Sequence, residues 1–119
     1  MYQYAFEKLN VWQNSRELTK RIYKITKKFP SDERYGLISQ MRRAMISVSS
    51  NIAEGSSRKT KKDQAHFYTI AYSSLIELLN QTILSLDLKY IDNDQYLELR
   101  SSVELVSNQL NALRNSLNN

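Results

Sequence analysis

The residues best suited to chemistry form a polar stripe near the middle of the chain. There, small hydroxyls, one amide and one carboxylate occupy positions where an amphipathic helix usually carries large apolar or long charged side chains. At helical spacing these groups fall along one edge of a buried face. The stripe consists of Gln40, Ser47, Asn51 and Glu54, and Glu77 is expected on the following helix.

Two interpretations of this stripe stay open. In the first, the amide and carboxylate groups form a buried polar network between two helices and set their register. In the second, Glu54 acts as an acid, a base or a metal ligand. The sequence favours the network, because a carboxylate-bundle metal site needs Glu-x-x-His pairs on two helices. The only histidine is His66, and no Glu lies three residues before it.

Other catalytic patterns are missing from the sequence. His66 is expected at the surface beside Lys61 and Lys62, where it lacks a second histidine or convergent carboxylates for acid–base or metal chemistry. Gly36 and Gly55 are the only glycines, so there is no phosphate-binding loop of the Gly-rich type. We therefore expect a protein that is not an enzyme and has no metal or cofactor.

Composition favours one all-helical domain outside the membrane. The 119 residues include two Gly, one Pro and no Cys, which leaves little turn chemistry for a sheet and excludes disulfides and thiolate sites. No apolar run approaches the ~18 residues of a membrane span, and the N-terminus lacks signal-peptide features. A cytoplasmic protein without a membrane partner is expected.

Hydrophobic periodicity predicts an all-α fold, an antiparallel up-down-up-down four-helix bundle. Pro30 and Gly36 separate the first two helices, and Gly55 is expected to end the second in the left-handed conformation. Thr60 with Asp63 is typical of a capping box, and Asp92 is a candidate cap for the last helix. The predicted helices cover about residues 10–28, 36–54, 61–90 and 93–117 of a single domain spanning 1–119.

Charge is strongly segregated along the chain. Residues 1–62 contain 14 Lys and Arg against 5 Asp and Glu, whereas residues 63–119 contain 3 against 7. A basic face of this kind attracts polyanions or the acidic face of a neighbouring copy. The candidate nucleic-acid-binding residues form two groups: Arg16, Lys20, Arg21, Lys24, Lys27 and Lys28 on the first helix, and Arg42, Arg43, Arg58, Lys59, Lys61 and Lys62 on the second helix and the following loop.

Apolar residues outside the predicted core indicate further contacts. The third helix carries more apolar surface than one bundle contact needs, and Ile70 and Leu84 lie outside its core arc. We predict that both belong to an interface with another subunit. At the N-terminus, Phe6, Leu9 and Trp12 are expected to cover the end of the core, although aromatic and basic residues there also suit base stacking.

Several local motifs together resemble one family over nearly the whole chain. The most specific is the run from Ser50 to Gly55, combined with Gln40 and Glu77 at their positions. The chain resembles the four-helix-bundle proteins first noticed as open reading frames inside bacterial 23S ribosomal RNA intervening sequences, a family that includes the accessory variability protein of diversity-generating retroelements. The matching residues are Phe6, Leu9, Val11, Trp12, Gln13, Phe29, Pro30, Tyr35, Gly36, Leu37, Gln40, Arg42, Arg43, Ala44, Ser47, Ser50, Asn51, Ile52, Ala53, Glu54, Gly55, Phe67, Ile70, Ala71, Ser73, Ser74, Glu77, Leu78 and Gln81.

The resemblance implies a ring-like homopentamer of four-helix bundles. It also implies a basic surface that, in the retroelement relatives, contacts nucleic acid and a reverse transcriptase. With the charge split, it leads us to expect a non-catalytic protein that binds structured RNA, RNA–DNA hybrid or DNA by charge and shape. The alternative is a protein-interaction scaffold whose basic face docks a protein partner or the next subunit.

Overall fold

Four long helices follow one another in a computed structural model that describes residues 1–118. Short 3₁₀ turns at Ala5–Lys8 and Ser31–Glu33 precede the first and second helices. The all-α prediction is confirmed, and each predicted helix end lies within three residues of the observed one. The helices are α1 (Asn10–Thr26), α2 (Leu37–Ser56), α3 (Lys61–Asp87) and α4 (Asn93–Ser116).

Side-chain contacts between the helices define an antiparallel bundle in which each helix packs on two neighbours. Between α1 and α2, Arg42 Nε donates to Thr26 Oγ1 at 3.0 Å, and the hydroxyls of Thr19 and Ser49 also meet. The contacts therefore move toward the start of α1 as they move toward the end of α2. Across α1 and α4, Asn14 Nδ2 donates to Gln109 Oε1 at 3.0 Å. The remaining neighbours are α2 with α3 and α3 with α4, which closes the ring of four helices around one core.

The core contains the apolar stripes that helical periodicity predicts. The α4 stripe of Leu99, Val103, Val106 and Leu110 is at most 2% exposed, as its unbroken 3–4 spacing indicates. Leu9 and Trp12 pack against the core, and the Trp12 ring meets Phe6 at 4.9 Å, so the predicted apolar end cap is confirmed. The other fully buried side chains include Leu18, Ile22, Met41, Met45, Val48, Ile52, Leu75 and Leu78.

Local capping explains where α3 and α4 begin. The Thr60 hydroxyl accepts a hydrogen bond from the Asp63 amide at 3.1 Å, which is half of the expected capping box. Before α4, Asp92 and Gln95 form the complete reciprocal box, with bonds of 2.8 and 2.9 Å. No helix within residues 1–118 is long and apolar enough to cross a membrane.

The prediction that Gly55 ends α2 in the left-handed conformation is wrong. Gly55 is a buried residue inside α2, which continues to Ser56, and its φ is not positive. A Cβ atom there would lie 2.6 Å from Cε1 of Tyr68 and 3.1 Å from the Phe67 Cβ. Glycine is therefore required because α3 approaches the α2 backbone closely, not because the helix turns.

The left-handed residue of this chain lies instead after α3. Lys89 has φ 64, and the Tyr90 amide donates back to the Ser85 carbonyl at 2.9 Å. This arrangement matches a Schellman-type ending, in which a glycine is the usual left-handed residue. Lysine at this position carries a conformational cost that its side chain does not relieve through any ion pair in the described chain.

Candidate nucleic-acid interface

Five exposed cations lie on the outer side of the C-terminal half of α1 and in the turn that follows it, while Leu18 and Ile22 of the same helix are buried. From Lys20 to Lys28 they extend over about 12 Å, at the helical rise of about 1.5 Å per residue. All five side chains are exposed. We call this set the basic row: Lys20, Arg21, Lys24, Lys27 and Lys28.

The basic row is only lightly engaged by the rest of the molecule. Lys20 Nζ lies 3.1 Å from Glu17 Oε1, but both side chains are more than 60% exposed, so this pair is screened by water. Arg21 donates to Ser102 Oγ at 3.2 Å, which orients its guanidinium toward α4. Within residues 1–118, Lys24, Lys27 and Lys28 form no ion pair. Their charge is available to an external anion.

A groove between α1 and α4 lies along one side of the basic row. It has a volume of about 340 Å³ and is lined on the α1 wall by Arg21, Lys24 and Lys28. The α4 wall carries Gln95 and Glu98, and Ile25 and Leu99 form an apolar floor. We call this feature the α1–α4 groove; it combines positive charge, one carboxylate and one amide on rigid helices.

Arg42 does not belong to an open basic surface. Its guanidinium lies 4.5 Å from the Tyr23 ring centroid and donates to Thr26 Oγ1 and to the Tyr23 carbonyl at the end of α1. Arg42 stays a predicted nucleic-acid contact, and its half-buried side chain also ties α2 to α1. Arg16, also predicted as a contact, is exposed and stacks near Trp12 at 5.5 Å.

The remaining predicted cations lie in two further places. Arg43 lines a cleft between α2 and α3, away from the basic row. Arg58 stacks over the Phe67 ring at 4.6 Å in the α2–α3 turn. That turn lies at the bundle end where α1 begins, as the contact of the N-terminal 3₁₀ turn with α2 indicates. Lys59, Lys61 and Lys62 share this turn and are exposed.

The predicted polar network is present only in its centre. Ser47 Oγ and Ser74 Oγ are 2.8 Å apart across α2 and α3, and Asn51 Nδ2 donates to the Ser47 carbonyl at 2.8 Å. Gln40, Glu54 and Glu77, by contrast, are exposed. Their prediction as buried members is wrong, because α2 and α3 approach through the small residues, which leaves Gln40 and Glu77 lining the cleft between the two helices and Glu54 exposed near the end of α2.

The cleft between α2 and α3 has a volume of about 470 Å³ and a mixed polar lining that includes Gln40, Arg43, Ser47, Ser74 and Glu77. Gln81 is buried one helical turn after Glu77, and its Nε2 donates to Glu77 Oε1 at 3.3 Å. Among residues 1–118, Gln81 Oε1 has no hydrogen-bond partner. A lone arginine beside a carboxylate gives this cleft no net positive potential. It is the weaker of the two anion sites.

No group of three or more His, Asp or Glu side chains within residues 1–118 is placed to hold a metal ion. His66 is exposed and contacts the Phe67 ring edge-on at 5.6 Å. Glu54 is exposed at the end of α2 and makes no side-chain hydrogen bond or ion pair with the described chain.

The two residues predicted to form a subunit interface differ in exposure. Leu84 is 42% exposed on α3, whereas Ile70 is half-buried. Further apolar side chains are exposed on α3 and α4. They are Ile76 at 45%, Leu97 at 54% and Leu105 at 47% exposure.

Sequence reasoning missed the α4 side of the groove. Gln95 and Glu98 belong to residues 63–119, whose net charge is negative, and this charge argued against an anion site there. The available signal was their position three residues apart before Leu99, which places both at the edge of the buried stripe of α4. Buried hydroxyls such as Thr26, Thr82 and Ser85 were also missed, and each donates to a carbonyl four residues earlier.

Comparison with known proteins identifies both sequence and structural relatives. The family model described as "23S rRNA-intervening sequence protein" matches residues 7–112. A crystal structure of a protein of unknown function from the S23 ribosomal protein family of Bacteroides thetaiotaomicron superimposes with a TM-score of 0.81, at 21% identity, over 87% of this chain and 97% of that chain. That likeness supports the fold alone. A search of curated proteins finds no match.

Proposed function

The chain belongs to the 23S rRNA-intervening sequence protein family, and from that premise we propose that it is a non-catalytic nucleic-acid-binding protein. It holds structured RNA, RNA–DNA hybrid or DNA on the basic row by charge and shape. The observation that carries the proposal is the row itself, five exposed cations on α1 and the turn that follows it, four of which make no ion pair in residues 1–118. Its length of about 12 Å corresponds to about seven phosphates of a duplex, at one charge per about 1.7 Å of helix axis, so each of the five cations can meet one phosphate.

Contact with the phosphate backbone fits this surface better than reading of base edges. Base readout in a duplex needs an element that enters a groove, such as a recognition helix. Here α1 packs along its length between α2 and α4, so only its outward side chains reach a ligand. Lysine and arginine on such a face position the protein on phosphates without reading sequence.

We further propose that the protein acts in the cytoplasm as a ring-like homo-oligomer, the pentamer that the family resemblance implies. Support comes from the exposed apolar side chains of Ile76, Leu84, Leu97 and Leu105 on α3 and α4. Apolar side chains gathered on one pair of helices are typical of a protein–protein contact. Repetition of the basic row around a ring would increase the number of phosphates that one complex neutralises.

Charge reversal on α1 tests the proposal. Each lost phosphate contact removes about a factor of eight in affinity at 0.1 M salt, so replacing Lys20, Lys24 and Lys27 with Glu should weaken RNA binding by at least 100-fold, roughly. The matched control makes the same charge change at Lys8, Arg34 and Lys89, which lie outside the row. Equal loss in both variants, with intact helical spectra, would contradict a role for the row.

A protein-interaction scaffold is the second candidate function. It is favoured by the acidic residues of α4, including Asp94, Glu98 and Glu104, which offer a neighbouring copy or a protein partner a surface complementary to the basic row. This candidate predicts that the row mediates assembly. The triple Glu variant would then change the sedimentation coefficient, and no nucleic acid would bind the original protein.

A further inference from the structure

We propose that the α1–α4 groove distinguishes RNA from DNA through the ribose 2′-hydroxyl. The groove's α1 wall holds phosphates, and its α4 wall contacts the sugars through Glu98 and Gln95. This inference rests on the proposed nucleic-acid function and adds the class of ligand and the residues that select it. It is carried by a donor and an acceptor on α4 that face three cations across one groove.

The two polar residues of the α4 wall differ in what they offer a ligand. Gln95 Oε1 already accepts the Asp92 amide at 2.9 Å in the capping box, so this bond fixes the side-chain amide and leaves Nε2 as a donor. In residues 1–118, Nε2 has no hydrogen-bond partner in the protein. Glu98 supplies carboxylate oxygens, which only accept. A hydroxyl both donates and accepts, and therefore matches this pair, which one helical turn places side by side.

Glu98 also keeps phosphate groups away from the α4 wall. Although it shares the groove with Arg21, Lys24 and Lys28, its carboxylate forms no ion pair with them or with other described residues. An unpaired carboxylate repels a phosphate that approaches it. A strand in the groove is therefore oriented with phosphates toward α1 and sugars toward α4. A deoxyribose offers Glu98 no donor, so DNA experiences the repulsion without the hydrogen bond.

The shape of the groove suits an RNA duplex. An A-form helix presents 2′-hydroxyls along a wide, shallow minor groove, with the phosphates at its edge. In the α1–α4 groove, Ile25 and the buried Leu99 lie between the cations of the α1 wall and the polar side chains of the α4 wall. Side chains on two rigid parallel walls can thus contact the sugar edge and the phosphate edge of one strand at the same time.

Three duplexes of one sequence test the inference: RNA, DNA, and RNA with 2′-O-methyl groups, which keeps the A form but removes the hydroxyl donor. Affinities are measured by fluorescence anisotropy for the original protein, for Glu98→Ala and for Glu104→Ala. Glu104 is the matched control, since it lies on α4 beside Arg100, with Oε1 3.6 Å from Nε, and does not line the groove. Both variants lose one negative charge from an exposed helical site.

The original protein should bind RNA more tightly than DNA or 2′-O-methyl RNA. Glu98→Ala should reduce the RNA-to-DNA affinity ratio by about threefold to tenfold, the effect of one hydrogen bond to an exposed charged group. Glu104→Ala should change the affinities for all three duplexes by the same factor and leave the ratio intact.

Three results would overturn the inference. If RNA binds but Glu98→Ala leaves the ratio unchanged within twofold, the groove does not read the hydroxyl, and the proposed nucleic-acid function still stands. If no duplex binds the original protein, both proposals fail. If Glu98→Ala alters the sedimentation coefficient without altering the ratio, the groove is a contact between copies. Circular dichroism on each variant establishes that the helices are retained.

Discussion

Replacing Gly55 with Ala measures how closely α2 and α3 must approach. Inside a helix, Ala is better than Gly by about 1 kcal/mol, so propensity alone predicts a more stable protein. The new Cβ would lie 2.6 Å from Cε1 and 2.9 Å from Cδ1 of Tyr68, whereas carbon atoms in contact prefer about 3.5–4.0 Å. The Tyr68 ring is 3% exposed and has little space to move.

Overpacking of this kind costs about 1–3 kcal/mol, and the buried ring places Gly55→Ala in the upper part of that range. Subtracting the propensity gain leaves a net destabilisation of about 1–2 kcal/mol. For a domain of this size the midpoint of thermal unfolding should fall by about 4–8 °C. Urea unfolding followed by circular dichroism, at one protein concentration, measures the same difference.

Two companion variants make the Gly55 prediction specific. Ser50→Ala changes an exposed α2 residue and should raise stability by no more than about 0.5 kcal/mol. In a Tyr68→Leu background the ring is gone and only the Phe67 Cβ contact at 3.1 Å remains, so Gly55→Ala should destabilise the protein by at least about 1 kcal/mol less than it does in the original chain. If Gly55→Ala in the original chain is as stable as the parent or more stable, the close approach of α3 is refuted.

Three other residues give independent predictions. Lys89→Gly should raise the free energy of unfolding by about 0.5–1 kcal/mol in urea titrations, because glycine adopts positive φ without steric cost. Arg42→Ala should lower it by about 1–2 kcal/mol, and Arg43→Ala by less than about 0.5 kcal/mol, because only Arg42 bonds to α1. Burial raises the pKa of the Tyr68 phenol above its ordinary value. Its contribution to stability is therefore constant below pH about 10 and declines above it, and Tyr68→Phe should reduce that alkaline decline in urea midpoints measured against pH.

The helices were predictable because their signals are local. Pro30, Thr60 and Asp92 mark ends through backbone and capping chemistry that depends on neighbouring residues alone. The stripe of Leu99 and Val103 follows the helical period. What these signals leave open is how far apart two helices lie. That distance decides whether a stripe residue is buried or on a rim, and it depends on contacts between distant segments.

The stripe on α2 illustrates this limit. Ser47 and Glu54 are both polar residues at its edge, yet one bonds across to Ser74 and the other is exposed. The sequence around Gly55 also predicted a helix end there. Gly55 is needed instead because the ring of Tyr68 on the next helix leaves no space for a Cβ atom. The basic row was predictable from periodicity, but its groove was not, because Glu98 reaches it only through the packing of α4 on α1.

The salt dependence of binding to an RNA duplex tests the central claim most directly. Five cations of the basic row that each neutralise one phosphate predict a slope of log affinity against log salt of about −4.5. The account predicts that slope for the original protein, and a slope shallower by about 2.7 for the variant with Glu at Lys20, Lys24 and Lys27. Affinity that is absent even at about 50 mM salt, or a slope near zero, would contradict the account.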